Sequence, residues 1–469
     1  MSKTLLYNAG LVTMDAERRQ FTKGAILIEE DNILSIGRSE DLLQAVEPGT
    51  ERIDLSGRWV LPGLINTHVH TSQQLARGLA DDVNLLTWLH ERIWPYESNL
   101  TEEDSYISSL LCGLELIRSG VTCFAEAGGQ YVDGMGRAVL ELGLRGILSK
   151  STMDCGEGLP KRWNETTDQA LQIQVENLEK WHGKANGRIR VWFGLRTIFN
   201  NTDDLIKQTK ELADKYEVGI HMHVAEIREE VEYSQASRGS TTATHLDQMG
   251  VLGPNLLAAH SVWLTKKEIE MFVKKKVKVS HCPASAMRLL GFAKIPEMIQ
   301  AGLCVTLGTD GAPTNNRMNL IDEMWLASLI HKGRLLDPTA MPAQTVLAMV
   351  TCNGAEGLLW ENEIGSLENG KKADLIVISP DTASMLPMHD PIANMVSAMH
   401  ASNVESVMAD GQWLMRDHKI LTVNEAEIIA EAKARANTIV KRAGIRLPDR
   451  FQVINKQPSA SSPSSPTSK

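Results

Sequence analysis

Leu64-Ile65-Asn66-Thr67-His68-Val69-His70-Thr71 places two imidazoles two residues apart at the end of a short apolar run. On a β-strand, residues i and i+2 point to the same face, so His68 and His70 can aim at one point and bind one metal ion. Pro62-Gly63 just before is a turn signal that launches such a strand. Alone, the pair fits packed or exposed histidines equally well, so other parts of the chain must supply further ligands.

Outward from this stretch, Gly63 to about Gly357 reads as short apolar strands separated by longer stretches with helical spacing, the rhythm of βα units. Eight strands are predicted: Leu64–His70, Val121–Ala125, Gly146–Thr152, Ile189–Leu195, Val218–Val224, Leu256–Ser261, Val277–Cys282 and Leu303–Thr309. Glu103–Arg118, Asp203–Tyr216, Lys266–Lys275 and Asn319–His331 read as amphipathic helices between them. This is the pattern of an α/β protein with a (β/α)8 TIM barrel, whose chemistry collects at the C-terminal strand ends.

Both chain ends have β character. Thr4–Tyr7, Leu11–Thr13, Ala25–Glu29, Ile33–Ile36 and Arg58–Leu61 are predicted strands, as are parts of Ile364–Val377 and a hairpin at Val404–Leu414 turning on Asp410-Gly411. The expected organisation is a barrel over 63–363 and a small composite β-sandwich from 1–62 and 364–455, with a helix at Glu425–Lys441. Residues 456–469, rich in Ser and Pro, are expected to be a disordered tail.

Composition narrows the function classes. With 48 Lys+Arg against 58 Asp+Glu the net charge is −10, which disfavours a nucleic-acid partner and leaves small-molecule substrates. Six cysteines without CxxC spacing suit free thiols in a reducing compartment. The N-terminus carries no signal-peptide apolar run, and no segment reaches membrane-spanning length. The reading is a cytoplasmic protein without a membrane partner.

Once the strands are placed, polar residues line up at their ends. His68 and His70 close the first strand, His223 the fifth, His260 the sixth and His281 the seventh, while Asp310 follows the eighth. Three neutral imidazoles and a carboxylate suit a borderline divalent metal such as zinc, with a position left open for water. Glu226, three residues after His223, is placed to move that water's proton. His221 shares the strand face of His223 and competes with it, but lies farther from the strand end. His260 is either a core histidine or a catalytic one, and His281 either shapes a turn or contacts substrate or water. Asp310 is either a turn residue or a ligand. His90, His182, His245, His331, His389, His400 and His418 are assigned to surface or structural roles.

Together, Leu61-Pro62-Gly63-Leu64, His68-Val69-His70, His223-Val224-Ala225-Glu226, Ala259-His260, Ser280-His281-Cys282-Pro283-Ala284-Ser285 and Leu307-Gly308-Thr309-Asp310-Gly311-Ala312 resemble the amidohydrolase superfamily. The likeness is to its S-adenosylhomocysteine/methylthioadenosine deaminase and triazine hydrolase branch, and it extends to Gly365-Ser366-Leu367 and Lys372-Ala373-Asp374-Leu375. It implies a distorted barrel with a composite β-sandwich and a homodimer or larger homo-oligomer. It also implies one divalent metal, zinc or alternatively iron(II), on His68, His70, His223 and Asp310. Glu226 would shuttle a proton and His260 would contact the water or leaving group. Binuclear relatives use a carboxylated lysine at the end of the fourth strand; here that strand ends Gly194-Leu195-Arg196-Thr197.

The implied reaction is hydrolytic deamination of a nucleoside- or purine-like ring, in which a metal-activated water attacks a carbon bearing an amine. Asp310 and His260 would help deprotonate the water. For the substrate, the resemblance implies Trp88 and Glu97, the latter on ribose hydroxyls, with Lys150 and Arg162 near the places of cations that hold a homocysteine carboxylate. At the base it departs: Arg196 stands where the branch has a histidine, and Ala286 where it has an asparagine. Arginine only donates hydrogen bonds, so an altered ring edge is expected. Two alternatives remain open: a hydrolase displacing amine, alkylamine or chloride from an oxidised purine, pterin or s-triazine, and a metal-free structural relative.

Overall fold

The computed structural model describes residues 3–447. The tail expected at 456–469 lies outside the described residues. Parallel strands run at Leu64–Val69, Val121–Glu126, Arg145–Leu148, Ile189–Val191, Phe193–Leu195, Ile220–Val224, Leu256–His260, Lys278–His281 and Cys304–Leu307, with helices between them. Every residue of Leu64–Val69 is buried, as a strand covered on both faces requires. The helix at Lys266–Lys275 has the bounds its spacing predicts and starts on a capping box between Thr265 and Glu268. This is the distorted (β/α)8 arrangement expected from the sequence.

The distortion has two seams. Among the described residues the parallel strands form an arc of four and an arc of five. The run Ile189–Leu195, predicted as one strand, is interrupted at Trp192: its first half pairs with Arg145–Leu148 and its second with Ile220–Val224. The Trp192 indole packs where Gly219 has no side chain, since a Cβ there would sit 2.3 Å from the ring. At the other seam, between Cys304–Leu307 and Leu64–Val69, no ladder is continuous. The Asp310 amide donates to the His68 carbonyl (2.9 Å), Thr67 Oγ1 lies 2.6 Å from Thr306 Oγ1, and Asn66 Nδ2 donates to Thr309 Oγ1 (2.8 Å).

Strands near both ends of the described chain join in one nine-stranded sheet. Thr4–Tyr7 and Leu11–Thr13, predicted as two strands, are one strand, Lys3–Val12, broken in register around Ala9, with Asn8 at φ 62°. A β-bulge absorbs the irregularity that reads as a gap in the sequence. The hairpin Val404–Ala409 and Gln412–Arg416 turns on Asp410 and Gly411, both at positive φ (52° and 73°), as a two-residue hairpin turn favours.

Buried charges tie this sheet to the barrel. Arg145, at the start of the third barrel strand, donates from Nε and Nη2 to both Asp374 carboxylate oxygens (3.1 Å each) and from Nη2 to Asp410 (3.0 Å). All three side chains are at most 7 % exposed. Removing the cation leaves the buried Asp374 without its ion-pair partner, Asp410 keeping Arg188 (3.6 Å), so Arg145→Met should lower unfolding free energy by about 3–5 kcal/mol in denaturant titration; a loss below about 1 kcal/mol would contradict this role.

Candidate active site

At the barrel's C-terminal end, side chains from four strand ends converge. His68 Nε2 and His70 Nε2 each lie 3.7 Å from Asp310 Oδ1. His260 Nε2 lies 3.9 Å from Asp310 Oδ2 and 3.7 Å from Glu226 Oε1, and the His68 and His223 rings are 4.9 Å apart. His68, His70, His223, His260 and Asp310 are buried, and Glu226 is partly buried. Ligand atoms of His68, His70 and Asp310 lie within 4.8 Å of one another, as do those of His68, His223 and His260.

Hydrogen bonds behind the rings turn their free nitrogens inward. His223 Nδ1 lies 2.9 Å from the Arg196 carbonyl, which only accepts, so Nδ1 carries the proton and Nε2 keeps a lone pair. His68 Nδ1 pairs with His221 Nε2 at 2.8 Å, leaving His68 Nε2 buried without a partner. His221, the competitor for the ligand position, therefore stands behind His68 as its support. A second His-x-His on the fifth strand was the signal for it. Both ring nitrogens of His260 are also buried and unpartnered. Each such orphan costs about 1–3 kcal/mol, and a divalent cation among these imidazoles and the Asp310 carboxylate fits the donor set.

The backbone is strained here too. Ala225, His260, Ser261 and Asp310 take positive φ of 50°, 67°, 51° and 62°, a cost that persists where the surroundings over-determine the geometry. At Gly308 a Cβ would fall 2.6 Å from His68 Cβ, so glycine lets the eighth strand approach the first.

Buried carboxyls, missed by the sequence reading, hold the loops that carry these residues. Glu230 accepts from the Ala225 and Glu226 amides (2.9 and 2.8 Å), and Glu126 from the Thr71 amide (2.9 Å). Glu323 accepts from the Ala284 amide (3.0 Å) and Asn315 Nδ2 (2.8 Å), which also donates to the Thr309 carbonyl (2.7 Å). Burial pushes Glu126 and Glu230 up to about 7 and Glu323 to about 8. Glu226 rises to about 8, through burial first and then the charges of Asp310 and Glu230, opposed by Arg196. Its carboxyl is therefore shifted toward the protonated form relative to a solvated glutamate.

A cavity of about 630 Å³ opens onto the cluster, lined there by His70, His223, Glu226, Asp310, Arg196 and Trp88. Arg196 is buried, forms no ion pair among the described residues, and leaves Nη1 unpartnered. The other expected substrate contacts sit elsewhere. Glu97 is buried off the cavity wall, accepting from Gln73 Nε2 (2.8 Å), and burial raises its pKa. Lys150 is buried against Glu165 (2.8 Å), and Arg162 is exposed and donates to the Ser98 carbonyl. His281 is off the wall as well: Ser280 points inward to Thr67 (2.7 Å), so strand alternation turns His281 away, to within 3.3 Å of His331 Nε2. Of the histidines assigned to surface or structural roles, His90 is exposed and lines the cavity mouth beside Trp94, and His331 is buried.

The sequence pattern of the amidohydrolase family matches residues 59–414, and this chain belongs to that family. It is 40 % identical to a 5'-deoxyadenosine deaminase of Methanobrevibacter smithii, over 92 % of this chain and 97 % of the relative. It is 38 % identical to a 5-methylthioadenosine/S-adenosylhomocysteine deaminase of Pelotomaculum thermopropionicum, over 94 % of this chain and all of the relative (100 %). Among solved structures it is similar to an adenosine deaminase from Xanthomonas campestris with bound zinc, at TM-score 0.89 and 25 % identity, covering 94 % of this chain and 99 % of that one. An atrazine chlorohydrolase from Arthrobacter aurescens complexed with zinc shares the fold at TM-score 0.85 and 24 % identity, covering 92 % of this chain and 100 % of that one.

The Glu323 carboxyl supplies a pH test. Its folded pKa, about 8, lies above its ordinary value of 4.5, so its contribution to stability is fully present below the ordinary value and is lost as pH rises through about 8. Glu323→Gln removes that titration. The melting temperature of the variant relative to wild type should therefore rise between pH 5 and pH 8, roughly the window between the two pKa values; a constant difference would contradict it.

Proposed function

We propose that this chain is a metal-dependent hydrolytic deaminase of ribosyl adenines modified at the 5′ position, holding one zinc ion. The observation that carries the reading is the buried cluster of inward-facing imidazoles and Asp310 beside Glu226, whose carboxyl burial shifts toward the protonated form, in a chain 38–40 % identical to deaminases of such nucleosides. His68, His70, His223 and Asp310 are the proposed ligands. Mixed nitrogen and oxygen donors suit zinc, with iron(II) as the alternative, and Arg196 in place of a lysine argues for one ion rather than two. The fold likeness to triazine-ring hydrolases carries no claim about leaving group, and the intact donor set argues against a metal-free structural role.

When bound, the metal supplies an activated water as nucleophile. Glu226 gives its proton to the ring nitrogen beside the attacked carbon. His260 Nε2 and Asp310 Oδ2 take one proton of the water and pass it to the departing amine, which leaves as ammonia, and the water's second proton returns to Glu226 as the ring gains a carbonyl. Trp88 offers a flat face to the ring. The free N–H groups of Arg196 meet acceptor atoms on the ring edge, and its charge favours the carboxylate form of both Glu226 and Glu97. Glu97, Lys150, Arg162 and His281, all off the cavity wall, are left out of direct substrate binding.

The proposed enzyme is a cytoplasmic homodimer or larger homo-oligomer, divided into a barrel over 63–363 and a composite unit from 1–62 and 364–455. Among the described residues, no helix is long and apolar enough to cross a membrane.

An ammonia-release screen of zinc-supplemented protein over adenosines, guanines, pterins, cytosines and aminotriazines tests the substrate class. Ribosyl adenines should respond best; no response from any of them sinks the reading. Glu226→Gln should keep its metal and lose about 10²–10⁴-fold in kcat, whereas retained turnover would mean that another group moves the proton.

A further inference from the structure

The cavity wall away from the metal-ligand cluster is mainly apolar, with Thr197 and Asn200 as uncharged polar side chains among its lining. Leu85, Leu86, Leu89, Phe199, Tyr233 and Leu290 line it. Neither cation expected to meet a carboxylate there is on it: Lys150 is neutralised by Glu165, and Arg162 is held at the Ser98 carbonyl. Among the described lining residues Arg196 is the only Lys or Arg, and it belongs to the opposite end, where its carbonyl holds His223. The acid on this side, apart from the cluster, is the exposed Glu157, with His90 nearby on the lining.

With the reacting carbon at the cluster, the substituent beyond the sugar has to extend to this wall. Resting on the deaminase reading, we propose that the site selects adenosine nucleosides whose 5′ substituent is small, apolar and free of a carboxylate. A carboxylate moved here from water finds no cation, loses hydration against leucine side chains and faces Glu157. A methyl or methylthio group gains by covering the same surface.

The test compares kcat/KM for ammonia release by zinc-replete full-length enzyme on four substrates. They are 5′-deoxyadenosine, 5′-methylthioadenosine, S-adenosylhomocysteine and 5′-(3-aminopropylthio)adenosine, which differs from the homocysteine compound only by hydrogen in place of the carboxylate. The homocysteine compound should be the poorest by about tenfold or more, and removal of its carboxylate should recover part of that loss, with the ammonium-bearing chain still used less well than the two apolar substituents. Glu157→Lys, at an exposed position, should raise the ratio of homocysteine compound to 5′-deoxyadenosine several-fold. Equal or better use of the homocysteine compound than of its carboxylate-free partner, or an unchanged ratio in Glu157→Lys, overturns this inference and leaves the deaminase reading standing. No turnover of any of the four overturns both.

Discussion

The hydrogen bond from the Asp310 amide to the His68 carbonyl, 2.9 Å long, is the contact on which the rest of the site depends. It joins the last barrel strand to the first where no ladder is continuous, and it sets the Asp310 carboxylate 3.7 Å from both His68 and His70. Gly308 permits the approach, because any side chain there would collide with His68. Asn66 and Thr67 spend their side chains on the same seam, against Thr309, Thr306 and Leu307. Polar residues inside an otherwise apolar strand thus find their partners across the gap, as buried polar groups must.

Around that seam the protein arranges charge rather than shape alone. Imidazoles are buried as neutral rings, with desolvation pushing His260 down to about 3 and His70 and His223 well below the ordinary range. Carboxyls nearby are pushed the other way, so Glu226 is shifted toward the protonated form while Asp310, surrounded by His68, His260 and His70, stays ionised. Two neighbouring acids are thereby driven toward opposite states by their environments, and the roles proposed for Glu226 and Asp310 rest on that separation.

Much of this was legible in the sequence. Eight buried strands announce themselves as apolar runs between helical stretches, and strand-end histidines follow once the strands are placed. Trp192 was not legible as a break, because its pairing changes without any change in apolar pattern. The Glu126, Glu230 and Glu323 carboxyls were invisible because an acid held by backbone amides has the same letter as an acid in water. His281 misled through its neighbourhood: strand alternation, set by Ser280 facing inward, decides its direction. Lys150 and Arg162 misled because position along the chain does not report which partner a long side chain takes, and Glu165 and the Ser98 carbonyl take them.

The central claim is that one metal ion, held by His68, His70, His223 and Asp310, makes this family member a deaminase. Stripping the purified protein with a chelator and adding zinc back in sub-stoichiometric steps, while following ammonia release from 5′-deoxyadenosine, tests it most directly. We expect activity to vanish with the metal and to return linearly, reaching its plateau at about one zinc per chain. Full activity in the metal-free protein, or a plateau only at two ions per chain, would contradict it.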